Sequence, residues 1–246
     1  MSKTAGIIVI GNEILSGKTR DENASFFLRE LRQLGVDVQK VSVVPDELES
    51  IRDEVGLFSS RFDYVFTSGG VGPTHDDVTI EGIASAFGRG IYRHHKLEAV
   101  LRRYYQESLT EATLRMADVP DGAFLVQRGG MWFPVVAIEN VYIFPGVPEI
   151  LAAKFNNIKE VFREAPFFVK EMFLRVDEGQ IADVLHELIQ GFPDLLLGSY
   201  PTFDNPAYMV KLTLESKNEQ YVEDAYHELV AKLAQIKTFP LPLDCN

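Results

Sequence analysis

Two adjacent carboxylates, Asp76 and Asp77, follow a glycine-rich segment that reads SGGVGPT over residues 68–74. Apolar residues 64–67 precede the glycines and an apolar stretch from Ile80 follows the carboxylates, which predicts a strand, a turn and a helix. Backbone N–H groups in such a turn, together with the helix N-terminus, bind anions such as phosphate. Carboxylates alone would repel that anion, so they predict a divalent cation that bridges carboxylate and phosphate oxygens.

A simpler interpretation of the same segment is plain turn chemistry. Glycine and proline mark turns in proteins of every class, and Asp or Thr commonly caps the first turn of a helix. In that interpretation, Asp77 or Thr79 is the N-cap of the following helix and the segment binds nothing. The segment by itself leaves both interpretations open.

Composition and charge exclude several classes of partner. The chain of 246 residues is 46% hydrophobic and 24% charged, as in ordinary globular proteins. Its formal net charge of −12 predicts no nucleic-acid partner, which would require a basic surface, and no anionic membrane partner. The single cysteine, Cys245, permits neither an internal disulfide nor a Cys-based zinc site. With no signal-peptide pattern at the N-terminus, these features predict a cytoplasmic protein.

Strand and helix patterns alternate over the first two thirds of the chain, which predicts an α/β fold with a mostly parallel sheet. The predicted strands are residues 6–10, 36–44, 63–67 and 141–144, of which 6–10 and 141–144 are continuous apolar runs typical of buried strands. A polar loop is expected over residues 11–20, and a helix is expected to open at Pro45. Ligands bind at the carboxyl ends of the strands in such sheets. The loops expected at those ends, and therefore at one site, are residues 11–19, 45–46, 68–77 and 145–149.

A change of pattern near Pro166 marks a candidate domain boundary. Beyond it, residues 207–215 alternate apolar and polar side chains, which is typical of a strand with one buried face in an antiparallel sheet. A long amphipathic helix is predicted over residues 218–236. The predicted domains are therefore residues 1–165 and a small α+β domain over residues 166–246.

Four segments in a fixed order resemble one known family. They read GNEIL at residues 11–15, VVPDE at 43–47, the glycine-rich segment through Thr79, and PGVPE at 145–149. The chain resembles the MoCF (molybdopterin-binding) domain family, in the form found in CinA and in the N-terminal region of eukaryotic FAD synthase. The resemblance implies a three-layer MoCF sandwich with a mostly parallel central sheet, followed by a small α+β KH-like domain.

The resemblance also implies an activity. Relatives of the CinA and FAD synthase type are similar to enzymes that hydrolyse the diphosphate bond of nucleotides such as ADP-ribose or FAD, with a divalent metal, Mg²⁺ or Co²⁺. Such metal-dependent hydrolysis is the activity expected here. The alternatives are a protein that binds molybdopterin or a nucleotide without turnover, and a molybdopterin adenylyltransferase. A homo-oligomer is expected, a dimer as in CinA-like relatives or a trimer as in Mog-like ones.

The family motifs carry over to individual residues. Asp77 matches the metal-linked aspartate of the family and Asp46 matches a second functional aspartate, so both are candidate catalytic residues and metal ligands. The candidate residues for binding a nucleotide or pterin are Gly11, Asn12, Glu13, Ser68, Gly69, Gly70, Gly72, Thr74, Asp76, Thr79, Gly146, Pro148 and Glu149.

Some of these side chains also fit plainer roles. Asp46 precedes a predicted helix and fits an N-cap, and Glu13 fits a solvated side chain as well as a further metal ligand. His75 is expected to be incidental rather than a catalytic base. Trp132 and Phe133 fit either stacking on a flavin or adenine ring or ordinary packing.

Overall fold

A computed structural model describes residues 3–235 of the chain. It forms two compact units, which divide between Glu164 and Ala165, beside the Pro166 that the sequence suggested as a boundary. Cys245 and the predicted helix end at Ile236 lie outside the described residues. None of the helices within residues 3–235 combines the length and the apolar character needed to cross a bilayer.

The first unit alternates strands and helices along most of its length. Its strands are β1 (Thr4–Ile10), β2 (Asp37–Val44), β3 (Tyr64–Ser68), β4 (Ile91–Arg93), β5 (Asp118–Pro120), β6 (Phe124–Val126), β7 (Val135–Ile138) and β8 (Val141–Phe144). Its helices are α1 (Asn12–Leu15), α2 (Asn23–Gln33), α3 (Leu48–Arg61), α4 (Thr79–Ala86), α5 (His95–Tyr105), α6 (Glu111–Leu114) and α7 (Pro148–Ile158).

The central sheet of this unit has the strand order β2-β1-β3-β8-β7-β6. Strands β2, β1, β3 and β8 pair in parallel, and β7 and β6 complete the sheet in antiparallel register. The carboxyl ends of the four parallel strands therefore meet at one edge, where the loops after β1, β2, β3 and β8 lie together. The predicted α/β fold with a mostly parallel sheet is confirmed.

Helices cover both faces of this sheet. On one face Ile8 and Ile10 of β1 pack in a core with residues of α3, α4 and α5. On the other face Ile7 and Val9 pack with residues of α2 and α7, including the fully buried Phe27. Full burial of side chains of this size stabilises the fold by roughly 1.5–3 kcal/mol each. The uninterrupted apolar run of β1 thus reflects burial on both faces, as in a three-layer sandwich.

Four elements differ from the sequence prediction. The polar loop after β1 contains the one-turn helix α1, in which the N–H of Leu15 donates to the carbonyl of Gly11. Strands β4 and β5 pair with each other outside the main sheet and were not predicted. Helix α3 begins at Leu48 rather than at Pro45. Segments of three or four residues are too short to show a hydrophobic period, which explains the first two differences.

The second unit is small and mixes a sheet with helices. Its elements are β9 (Phe168–Leu174), α8 (Glu178–Gly191), β10 (Leu196–Pro201), β11 (Val210–Ser216) and α9 (Glu219–Leu233). The sheet order is β10-β11-β9, with both pairs antiparallel. Val210, Leu212 and Leu214 of β11 are buried on one face against α8 and α9. The prediction of a one-sided antiparallel strand is confirmed, and the likeness to a KH domain stays a prediction.

Candidate functional site

A cavity of about 630 Å³ opens at the carboxyl edge of the parallel sheet in the first unit. Its size is typical of small-molecule sites in proteins. The loops after β1, β2, β3 and β8 all contribute to its wall, and α5 and α7 contribute side chains as well. The convergence that the sequence predicted for these four loops therefore takes place within one cavity.

The glycine-rich loop presents unpaired backbone donors to this cavity. The φ angles of Gly69 and Gly70 are +107° and +62°, in the left-handed region that favours glycine. The N–H of Gly69 donates to the carbonyl of Phe144. Among the described residues, the backbone N–H groups of Gly70, Val71 and Gly72 have no hydrogen-bond acceptor. Successive unpaired N–H groups of this kind form a concave binding site for an anion.

Close packing disfavours a side chain at three positions in this loop, and a Cβ atom on Gly69 would lie 2.1 Å from the carbonyl oxygen of Ile10. A Cβ atom on Gly70 would lie 2.3 Å from Oγ1 of Thr79, and a Cβ on Gly72 would lie 2.7 Å from Oδ2 of Asp77. Thr79 is buried, and its hydroxyl donates a 2.9 Å hydrogen bond to the carbonyl of Gly69. Thr79 therefore closes the loop onto the start of α4.

Asp77 faces its own loop rather than capping the helix. Its Oδ2 accepts a 2.8 Å hydrogen bond from the backbone N–H of Thr74, and it also accepts from the Thr74 hydroxyl. The N-cap of α4 is Val78, and no side chain bonds to that cap, so neither Asp77 nor Thr79 serves as the N-cap. The Oδ1 atom of Asp77 has no hydrogen-bond partner in residues 3–235 and is available to a ligand.

Asp76 stands beside Asp77 at the same wall of the cavity. Its pKa is lowered from the ordinary value, chiefly by hydrogen bonding from the Thr74 side chain and secondarily from its own backbone N–H. The Thr74 hydroxyl has a single proton, so it can donate to only one of the two carboxylates at a time. This hydrogen bonding favours the negative charge of Asp76 at the cavity wall.

Asp46 joins two of the converging loops. Its Oδ2 accepts a 2.7 Å hydrogen bond from the backbone N–H of Asn12. The N-cap of α3 is Glu47, so Asp46 is not the helix cap that the sequence allowed. Its Oδ1 has no partner within the described part of the chain, as with Asp77. Glu13 reaches the same cavity from α1, where its carboxylate lies against Gly11.

The donor set of this cavity fits a hard divalent cation that keeps part of its hydration shell. Within residues 3–235, no group of three or more His, Cys, Asp or Glu side chains is close enough to enclose a metal ion. Mg²⁺ is commonly held by one or two carboxylates together with water and substrate phosphate oxygens. Asp46 and Asp77, each with one oxygen held and one free, are suited to that mode of binding.

Asn23 is a buried residue that organises the site, and it was not among the predicted site residues. Its Nδ2 donates 2.8 Å to Oγ of Ser68 and 2.7 Å to the carbonyl of Gly146. It thereby joins α2 to the loops after β3 and β8. Asp21, which precedes α2, accepts through its Oδ1 from the N–H groups of Asn23 and Ala24 at the start of that helix. Nothing local in the sequence distinguishes these two roles.

Aromatic and basic side chains also line the cavity. Tyr104, Trp132 and Phe133 line it together with Arg115 and Lys154. Burial lowers the pKa of Lys154 to about 8. Arg115 Nη2 donates 2.7 Å to the carbonyl of Pro73 and so braces the glycine-rich loop. The cavity thus combines carboxylates and backbone donors with aromatic rings and two cations.

The predicted site residues fall into two groups. Those that line the cavity are Glu13, Asp46, Gly69, Gly70, Gly72, Asp76, Asp77 and Gly146. Those that the structure places behind or beside it are Gly11, Asn12, Ser68, Thr74, Thr79, Pro148 and Glu149. The His75 side chain is 97% exposed and does not line the cavity. The lining residues that the sequence did not suggest include Tyr104, Arg115 and Lys154.

Two family models match the chain in succession. The first, described as "Probable molybdopterin binding domain", matches residues 6–164. The second, described as "FAD synthase, middle domain", matches residues 166–241. More than half of the chain is therefore matched by the first family alone.

Curated proteins of different lengths are similar in sequence to this chain. A "Probable FAD synthase" of Caenorhabditis elegans is 32% identical over 260 residues, which cover 94% of this chain and 50% of that protein. A "CinA-like protein" of Thermotoga maritima is 28% identical and covers 95% of this chain and 59% of its own length. A protein of Archaeoglobus fulgidus is 35% identical, with 87% of this chain and 91% of that protein covered. The chain spans about half the length of its FAD synthase relative.

A solved structure agrees with these matches. The crystal structure of "the protein CinA with unknown function" from Thermoplasma acidophilum has a TM-score of 0.60 and 31% identity. The alignment covers 66% of this chain and 100% of that one. From its motifs, its fold and these matches, the chain belongs to the molybdopterin-binding (MoCF) domain family.

Proposed function

We propose that this protein hydrolyses the diphosphate bond of a nucleotide such as ADP-ribose or FAD, with Mg²⁺ or Co²⁺ as cofactor. One observation carries the proposal. The carboxylates of Asp46 and Asp77 line the same cavity as the unpaired N–H groups of residues 70–72. Acceptors for a cation and donors for an anion are thus side by side, which is the requirement for holding a metal-bound diphosphate.

The chain itself supplies binding and orientation. The N–H groups of residues 70–72 donate to the non-bridging oxygens of one phosphate and hold it in place. Arg115 keeps the loop in shape through its hydrogen bond to Pro73 and adds positive charge at the cavity wall. The free Oδ1 atoms of Asp46 and Asp77 would hold the cation, with Glu13 beside them.

A divalent cation bound there supplies charge neutralisation on the phosphate oxygens and favours the attack of water. In the hydrolysis, the water oxygen bonds to one phosphorus atom and the bond from that phosphorus to the bridging oxygen breaks. The products of a dinucleotide are AMP and a second phosphate ester. Because six carboxylates line the cavity against two cations, a diphosphate without a metal would meet net repulsion there.

The test is a panel of nucleotides incubated with the purified protein. ADP-ribose and FAD are each supplied with Mg²⁺, with Co²⁺, or with EDTA, and the release of AMP is measured by chromatography. The proposal predicts AMP release that requires the metal. Tight binding of a nucleotide or pterin with no AMP under any condition would instead indicate a binding protein. ATP consumption that depends on a pterin would indicate an adenylyltransferase.

A further inference from the structure

A pair of exposed aromatic rings forms part of the cavity wall. The ring centroids of Tyr104 and Trp132 lie 4.5 Å apart with an interplanar angle of 21°. The two residues are nevertheless 62% and 48% exposed. Large aromatic surface left open to solvent in a concave wall is typical of a ligand-binding site. The stacked arrangement fixes both rings in place without a ligand.

Lys154 lies next to this pair with unused donor capacity. Its Nζ donates 2.8 Å to the carbonyl of Phe133 and 2.9 Å to the carbonyl of Pro134. The Nζ also lies 4.7 Å from the centroid of the Phe133 ring. An ammonium group has three N–H donors, so one remains after these two hydrogen bonds.

The charge of Lys154 is not neutralised by the protein. Within residues 3–235, Lys154 forms no salt bridge with a carboxylate. A partly buried cation without a counter-charge is costly unless a ligand supplies an acceptor. The two carbonyls that it contacts belong to the segment that carries Trp132, so the cation and the ring wall are held together.

We propose that Trp132, Tyr104 and Lys154 form a subsite for a fused planar heteroaromatic ring with carbonyl acceptors, of the isoalloxazine or pterin type. The ring stacks on the aromatic pair, and a ring carbonyl accepts the remaining N–H of Lys154. A sugar offers no π face for stacking, and adenine offers no carbonyl oxygen to an ammonium donor. The assignment rests on the proposed function, because it places the ring half of the substrate whose diphosphate occupies the glycine-rich loop.

The test measures binding without turnover. Riboflavin, neopterin and AMP are titrated into the full chain in EDTA, and binding is followed by ring fluorescence for the first two and by calorimetry for AMP. The variants are Trp132→Leu and Lys154→Met. Tyr200→Leu is the matched control, since Tyr200 belongs to the second unit, is 53% exposed and is not a lining residue of this cavity. Circular dichroism verifies that each variant is folded.

We expect the wild-type protein to bind riboflavin and neopterin saturably. Each of the two variants should weaken this binding about tenfold or more, and Tyr200→Leu should leave it unchanged. AMP binding should change little in Trp132→Leu. Absence of saturable ring binding, or equal binding by wild type and both variants, would overturn the subsite. An equal loss of AMP binding in Trp132→Leu would overturn it too, since adenine would then be the occupant.

The ring-binding experiment and the AMP-release experiment can fail independently of each other. Ring binding that depends on Trp132, in a protein that releases no AMP from any nucleotide, rejects hydrolysis and supports the subsite. AMP release with ring binding unchanged in both variants supports hydrolysis and rejects the subsite.

Discussion

The carboxylate of Asp46 accepts a 2.7 Å hydrogen bond from the backbone N–H of Asn12, and this contact ties the loop after β2 to the loop after β1. The same residue lines the cavity with its second oxygen free. Asp46 thus has a structural role through Oδ2 and a proposed ligand role through Oδ1. Two substitutions separate them.

Asp46→Asn keeps an acceptor for the Asn12 N–H but removes the negative charge. We expect metal-dependent AMP release to fall about tenfold or more, with the melting temperature nearly unchanged. Asp46→Ala removes the acceptor as well and should lower the free energy of unfolding by a further amount of about 1 kcal/mol. Calorimetry and a turnover assay check both values. Full activity in Asp46→Asn would mean that Asp46 acts only as a structural tie.

Gly72→Ala tests the packing of the glycine-rich loop against Asp77. The added Cβ would lie 2.7 Å from Oδ2 of Asp77, so the carboxylate or the loop must move. We expect turnover to fall about tenfold or more, since catalytic groups act only in a narrow geometry.

Gly56→Ala is the matched control for this loop variant. Gly56 lies within α3, and an added Cβ would meet nothing within 4 Å. That control should keep full turnover and gain up to about 1 kcal/mol in stability from helix propensity. Equal turnover in both glycine variants would contradict the proposed role of the loop.

Asn23→Ala removes the donors that join Ser68 and Gly146. Loss of these buried hydrogen bonds should lower the free energy of unfolding by about 1–3 kcal/mol. It should also raise the KM for a nucleotide, because the loops after β3 and β8 lose their common anchor. Thermal unfolding and steady-state kinetics measure the two effects.

Asn140→Ala is a suitable control for the asparagine variant. Asn140 donates to the carbonyls of Ser59 and Phe62 and does not line the cavity. It should lose similar stability and keep its KM. A KM shift of the same size in both variants would show that the effect of Asn23 is general destabilisation.

The affinity for a ring ligand should depend on pH through Lys154. Burial lowers the pKa of this group to about 8, so its ammonium form prevails below that pH and is lost as the pH rises through it. Riboflavin affinity of the wild-type protein should therefore fall as pH rises through about 8. A bound acceptor favours the charged form and moves the midpoint in the complex upward.

Lys154→Met provides the control for this pH profile, since it should bind weakly and without that step. A step that persists in the variant would come from another titratable group. Among the described residues, the other titratable groups that line the cavity are Glu13, Asp46, Asp76, Asp77, Glu81, Tyr104, Tyr105, Arg115 and Asp118.

The centre of the main sheet was predictable because β1, β3 and β8 are buried on both faces. The continuous apolar runs of β1 and β8 match the strands that form, and β8 begins and ends at the residues that the sequence suggested. The short pair β4 and β5 was not predictable, since three residues show no period. Edges and extra strands of this size are decided by tertiary packing rather than by local pattern.

The candidate site, like the sheet, was predictable from the sequence only in part. Its loops follow strands, so the strand pattern indicated where they would meet. Lys154 and Tyr104 come from α7 and α5, and only the packing of those helices against the sheet brings them to the cavity. The buried amide of Asn23 joins two loops that lie far away in sequence. Such contacts have no local sequence signature.

The central claim is that Asp77 and the glycine-rich loop together hold a metal-bound diphosphate for hydrolysis. Asp77→Asn tests it most directly, because Asn retains an acceptor for Thr74 while losing the charge. Asp53→Asn is the control, as Asp53 lies on α3 with its side chain 71% exposed.

The measurement is AMP release from FAD and ADP-ribose with Mg²⁺ or Co²⁺, alongside thermal unfolding. The account predicts a loss of about 100-fold or more in Asp77→Asn, with its fold retained, and no change in Asp53→Asn. Wild-type turnover in a folded Asp77→Asn protein would contradict it.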